Sequence, residues 1–191
     1  DGATVLVMDD GFQNPGLEKD VSIIVIDAGF GHGNGRLLPA GPLRERPEIG
    51  FARAHAVVMV DDEMAPTTQA DTGGLPVLAA HLVPTKDSAS RLGGARVIGF
   101  CGIGRPEKFF QTLEELECTV VRTHGFPDHH PYREDEIWKL VELARELDAQ
   151  AVTTAKDAVR LPPGARDMVT VIDVALAFDR PDDLDRLLDH V

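Results

Sequence analysis

An apolar run that ends on two adjacent carboxylates, Asp9 and Asp10, lies in the stretch TVLVMDDGFQN. Buried charge is costly unless a cation or hydrogen bonds compensate it. An apolar strand ending in Asp is how nucleoside triphosphatases help hold Mg²⁺ on phosphates. That ion takes oxygen ligands and keeps several waters. Asp and Gly are also ordinary turn formers, so the pattern alone leaves both readings open. A second dense cluster is HGFPDHHPY, with Asp128, His129 and His130 between two prolines. Histidine is the natural general base near neutral pH. An Asp–His–His group can also hold a metal, and a solvated helix-entry turn is the third reading. In LLPAGPLRER, Arg44, Glu45 and Arg46 follow two stiffening prolines. A guanidinium on such a turn suits phosphate or sugar hydroxyls, as it also suits plain solvent. In TTAKDAVRL, Thr153 or Thr154 can cap a helical turn, and Lys156 could serve a phosphate.

These residues need a scaffold, and apolar runs of strand length supply one. Residues 3–8, 21–26, 56–60 and 76–83 read as strands, as do 97–101, 118–122, 151–154 and 169–174. Continuous apolar runs suit strands covered on both faces, as in parallel sheets. Helices are expected from Pro106 to about Glu117, over 134–148 and over 181–190; Ile137, Leu140, Val141, Ala144 and Leu147 share one face of the second. Alternating β and α segments imply a parallel, doubly wound α/β sheet. Residues 28–47, rich in Gly and Pro, form a long loop, a length that is usually functional or disordered. Residues 61–74 read as a polar connection, and PTKDSASRLGGAR at 84–96 as a linker marking a domain boundary.

Composition narrows the classes. The chain has 191 residues, 43% apolar and 27% charged, which fits a globular core rather than a disordered tract. A formal net charge of −13 argues against nonspecific nucleic-acid binding and against an anionic membrane surface. No apolar run approaches the roughly 18 residues of a membrane span. Cys101 and Cys118 lie in apolar surroundings and read as reduced, buried thiols. The phosphate-cradling G-x-x-x-x-G-K-[ST] pattern does not occur: none of the five lysines follows a glycine. GFGHGNGR does not match G-x-G-x-x-G either.

Five motifs in series, DDGFQN, GHGNGRLLPAGPLRE, GIGRPEKFF, FPDHHPY and TTAKDAVRL, resemble those of the tetraacyldisaccharide 4'-kinases, the lipid A 4'-kinases of Gram-negative bacteria. Order and spacing agree over essentially the whole chain. The resemblance implies a P-loop NTPase-like parallel sheet, incomplete here, followed by a smaller α/β domain. Residues 1–90 would be the C-terminal part of the kinase domain, with the strand ending in Asp9 and Asp10 and the substrate loop. Residues 91–191 would close over the active-site cleft. It implies transfer of the ATP γ-phosphoryl group to the 4'-hydroxyl of a tetraacyldisaccharide 1-phosphate, with Mg²⁺ on Asp9 and Asp10. It makes Asp9, Asp10 and His129 catalytic and puts Gln13, Asn34, Arg44 and Glu45 on the substrate side. Family members often carry Glu where this chain has Ala155, and their more constant element is Asp-His, which leaves His130 without an implied role. They are longer, with a membrane-associated N-terminal helix and a P-loop ahead of the DDGFQ segment. The chain is therefore expected to be a soluble C-terminal portion, inactive alone, of an enzyme at the cytoplasmic face of the inner membrane. Loss of the first strands and the P-loop helix is expected to expose a sheet edge.

Two other functions compete. A Mn²⁺- or Mg²⁺-dependent phosphoesterase would use Asp9, Asp10, Asp128, His129 and His130 around metal. A non-catalytic binding module would leave the acids as turn residues.

Overall fold

The structure, a computed structural model, describes residues 2–60 and 71–189. The expected polar connection at 61–74 falls largely outside those residues, as does the end of the last expected helix. The chain divides into two compact units, Asp1–Leu82 with Leu176–Val191, and Val83–Ala175. The expected division at 90/91 falls inside a helix. The chain's last strand also runs back into the first unit, which makes that unit discontinuous in sequence.

The first unit holds a sheet ordered β1-β2-β3-β8: β1 (Ile23–Asp27), β2 (Ala56–Val60), β3 (Val77–Pro84) and β8 (Val174–Phe178). β1 and β2 pair in parallel from Ile23↔Ala56 to Asp27↔Val60, and β2 pairs in parallel with β3. Ala56, Val57 and Val58 are buried because β2 is central and covered on both faces. On one face Val57 meets Ile26 and Phe51, the last residue of the one-turn helix α1 (Pro47–Phe51). On the other, Ala56, Val58, Leu78 and Ala80 pack against Leu184 and Leu187 of α7 (Pro181–Leu188). The expected strand at 3–8 is not formed. Val5, Leu6 and Val7 are 65%, 76% and 89% exposed. Apolar character alone does not make a strand; among the described residues, no neighbour pairs with this backbone.

The second unit is a parallel sheet ordered β5-β4-β6-β7, from β4 (Arg96–Cys101), β5 (Thr119–Gly125), β6 (Gln150–Thr154) and β7 (Thr170–Ile172). Alternate residues of β4 enter opposite cores, as strand geometry requires. Ile98 and Phe100 join α4 (Glu134–Glu146) through Ile137, Leu140, Val141 and Ala144. Val97 and Cys101 join Phe109 and Leu113 of α3 (Pro106–Glu115). The stretch read as a linker contains α2 (Lys86–Leu92). Ser88 donates its backbone N–H to Thr85 Oγ1 at 3.2 Å, and Leu92 is fully buried. One buried apolar residue, Leu92, with Ser88 buried beside it and a good cap, makes this short helix without the repeated apolar face of a longer one. Two further one-turn helices, α5 (Ala155–Ala158) and α6 (Pro163–Arg166), follow β6. The α/β class with parallel sheets agrees with the sequence expectation.

Candidate active site

In the first unit, a cavity of about 440 Å³ is lined by Asp9, Asp10, Gln13, Arg44 and Glu45, floored by Ile23–Ile26 of β1. The loop after β1 builds one wall. Asp27 Oδ1 accepts the N–H groups of Gly29 and Phe30 at 2.9 and 3.1 Å, which turns the chain at the strand end. Gly31, Gly33 and Gly35 all take positive φ, a conformation glycine adopts at little cost. Asn34 donates Nδ2 to the Ala40 carbonyl at 2.9 Å and accepts the Arg36 N–H on Oδ1 at 3.1 Å. Its amide thus ties the loop together, and it does not line the cavity.

Arg44 and Glu45 connect this loop to the DDGFQ segment. Arg44 Nη1 donates to both oxygens of Asp10, at 2.8 and 3.0 Å. Gln13 Nε2 donates to Glu45 Oε1 at 3.0 Å, and Arg53 Nη2 donates to the same oxygen at 2.7 Å. The Arg53 hydrogen bond, with help from Gln13, holds the Glu45 carboxyl below the usual carboxylate range. The Arg53 guanidinium lies 5.0 Å from the centre of the Phe12 ring. Asp10 itself has φ 51°, a left-handed conformation uncommon outside glycine. The two acids are thus presented on a tight turn at an exposed edge. Sequence reasoning passed over His32, which also lines the cavity; its Nε2 lies 2.8 Å from the Asp71 carbonyl oxygen. Its position inside a Gly-rich loop was the available signal.

His129 lies in the second unit, on the loop between β5 and α4. Its φ is 58° and its side chain is 87% exposed, with Nε2 3.9 Å from Asp128 Oδ2. His130 turns the other way. Its ring stacks on Phe126 at 4.7 Å, and its Nε2 lies 3.0 Å from Glu136 Oε2. The two histidines therefore differ in kind: His130 is fastened to α4, whereas His129 is presented to solvent. Lys156 is exposed. Among the described residues, no three His, Cys, Asp or Glu side chains are placed to hold a metal together. Both cysteines are free, and burial pushes the Cys101 thiol up to about 12.

Beneath the His129 loop lies a group that the sequence reading did not single out. Asp157 is fully buried. Its Oδ1 accepts from the Gly102 N–H at 3.0 Å, Tyr132 Oη at 2.7 Å and Arg160 Nη2 at 2.8 Å. Thr154 Oγ1 donates to Oδ2 at 2.6 Å. Burial and the Asp157 hydrogen bond push the Tyr132 hydroxyl well above its ordinary range.

A family model described as LpxK, tetraacyldisaccharide-1-P 4'-kinase, matches residues 1–191. The tetraacyldisaccharide 4'-kinase of Rhodospirillum centenum is 52% identical over 187 residues, covering 98% of this chain and 56% of the relative. That of Rhodospirillum rubrum is 48% identical over 197 residues, covering 100% and 58%. That of Paramagnetospirillum magneticum is 46% identical over 191 residues, covering 100% and 58%. Among solved structures, the "apo" form of LpxK from Aquifex aeolicus in complex with ATP superposes with a TM-score of 0.63 at 25% identity, over 94% of this chain and 55% of that one. The chain spans a little over half the length of the curated relatives it matches. Over nearly all of its length the chain thus shares its α/β fold with part of that LpxK structure, and the chain belongs to the tetraacyldisaccharide-1-phosphate 4'-kinase family.

Proposed function

We propose that these residues form part of an ATP-dependent phosphotransferase that phosphorylates the 4'-hydroxyl of a tetraacyldisaccharide 1-phosphate, a lipid A precursor. The observation that carries this reading is the gathering of Asp9, Asp10, Gln13, Arg44 and Glu45 around one cavity in a chain of this family. The donor chemistry at Asp9 and Asp10 suits Mg²⁺, which takes one or two carboxylates and completes its shell with water and phosphate oxygens. Mg²⁺ bound there would neutralise phosphate charge. Arg44 and Gln13 offer donors on the same cavity for phosphate or sugar oxygens. Glu45, held ionised by Arg53, keeps Gln13 in place.

In the reaction, the 4'-hydroxyl oxygen attacks the γ-phosphorus, the bond to the β–γ bridging oxygen breaks, and ADP leaves. The exposed His129 imidazole takes the hydroxyl proton. Such a base contributes roughly 10²–10⁴-fold. His129 belongs to the second unit, Val83–Ala175, and movement of that unit would bring it to the substrate. On this reading the reaction takes place at the cytoplasmic face of the inner membrane, where ATP meets a lipid substrate. No helix among the described residues is long and apolar enough to cross a membrane. The acidic net charge favours no nucleic-acid role.

The test uses a protein that carries these residues together with a phosphate-binding loop. Asp10→Asn and His129→Ala should each lower kcat by about 10²-fold or more, measured as 4'-phosphorylation of the lipid. Near-wild-type turnover in both variants would overturn the assignment.

A further inference from the structure

We infer that Asp157, acting with Arg160 through Gly102, is a positioning residue that fixes the backbone of His129. The inference rests on the reading of His129 as the base. A fully buried carboxylate is tolerated only when paired and hydrogen-bonded. Asp157 meets that condition with donors from three separate parts of the second unit: Gly102 just after β4, Tyr132 on the loop before α4, and Thr154 and Arg160 on either side of α5. The reciprocal bond with Thr154 fixes the carboxylate. The Asp157 N–H donates to Thr154 Oγ1 at 3.1 Å, while that hydroxyl donates back to Oδ2 at 2.6 Å.

The link to His129 is short. Asp157 accepts the Gly102 N–H, and the Gly102 carbonyl accepts both the His129 N–H at 3.1 Å and Arg160 Nη2 at 3.1 Å. One peptide residue therefore receives the network on its amide and the base on its carbonyl. Gly102 also has no room for a side chain. A Cβ would lie 2.9 Å from the Pro127 carbonyl oxygen, 3.0 Å from Tyr132 Oη and 3.2 Å from His130 Cβ. The loop is thus pressed against Gly102, and His129 is held with φ 58°. A non-glycine residue persists there only when its surroundings over-determine it. The buried network supplies that restraint, while His130 fastens the far side of the loop to Glu136. The motif TTAKDAVRL acts through Thr154, Asp157 and Arg160, and Lys156 enters only by its backbone carbonyl, which accepts from Arg160 Nε at 3.2 Å.

The test has two readouts. On this chain, amide hydrogen exchange is followed for His129 and for β4 in wild type, Asp157→Ala and Tyr132→Phe. Protection of the His129 N–H should drop about tenfold or more in Asp157→Ala and by less in Tyr132→Phe, with Val97–Phe100 still protected. Unchanged His129 protection in variants whose β4 stays protected would overturn the inference. Should Asp157→Ala not fold, Tyr132→Phe decides by the same criterion. In a protein carrying these residues with a phosphate-binding loop, Asp157→Ala should lower kcat about 10²-fold and leave KM within about threefold. Asp157→Asn, which keeps the shape and one acceptor oxygen, should restore part of the loss. A folded Asp157→Ala enzyme with full kcat, beside an inactive His129→Ala, would refute the positioning role alone. Full kcat in His129→Ala would instead refute the base reading and the catalytic half of this inference, and exchange at His129 would still decide whether Asp157 fixes the loop.

Discussion

Arg44 and Asp10 pair at 2.8 Å across the proposed metal edge, yet both side chains are more than half exposed, 55% and 67%. Exposed ion pairs contribute only about 0–1 kcal/mol to stability. The pair's geometry, two hydrogen bonds from one guanidinium nitrogen, therefore matters more for placing Asp10 than for holding the fold. Arg44→Ala should leave the thermal midpoint nearly unchanged while lowering turnover by about tenfold or more. Differential scanning fluorimetry beside steady-state kinetics checks this. A large fall in the midpoint would make Arg44 a structural residue. Asp9, Asp10, Arg44 and His129 could be nominated from the sequence because motif chemistry is local. Asp157 could not. Its burial depends on Gly102 and Tyr132, 55 and 25 residues away, and no local pattern separates a buried aspartate from the exposed Lys156 beside it.

Element by element, legibility followed length and partnership. The central strands β2, β4 and β6 and the helices α3 and α4 stood out because repeated apolar residues face a core. The one-turn α1 and the short α2 did not, since each buries only two residues. The run at 3–8 was over-read because apolar residues predict a strand only when a neighbour supplies hydrogen bonds. The N-terminus of α4 carries its own pH dependence. The Arg133 and Lys139 side chains hold Asp135 at about 2. The Arg133 N–H, then His130, holds Glu136 below its ordinary 4.5. Both folded values lie below the unfolded ones, so their contribution is complete above about pH 5 and fades as pH falls through the folded values. Urea midpoints measured from pH 6 to 2.5 should decline, and Glu136→Gln should flatten part of that limb. Identical acid limbs in the two proteins would contradict the assignment.

At the scale of the whole molecule, the two units differ in how much they bury. Among the described residues, the second unit's clusters hold ten and seven buried residues, one on each face of its sheet. The first unit's hold four and three, and its residues 3–7 stay exposed. Hydrophobic stabilisation scales with buried apolar area at roughly 25 cal/mol per Å². The first unit should therefore open at lower denaturant than the second. The chain carries its own reporter for this, because its single tryptophan, Trp138, sits on α4 in the second unit. Far-UV circular dichroism sees both sheets, whereas Trp138 emission sees one. In a urea titration the dichroism should begin to fall before the emission shifts. Leu113→Ala, which empties a fully buried position beside β4, should cost about 2–5 kcal/mol and move the Trp138 transition to lower urea. The early part of the dichroism curve should stay where it was. Superimposable curves from the two probes in wild type would mean that the cores unfold as one cooperative body, and the difference in burial would then not govern the order of opening.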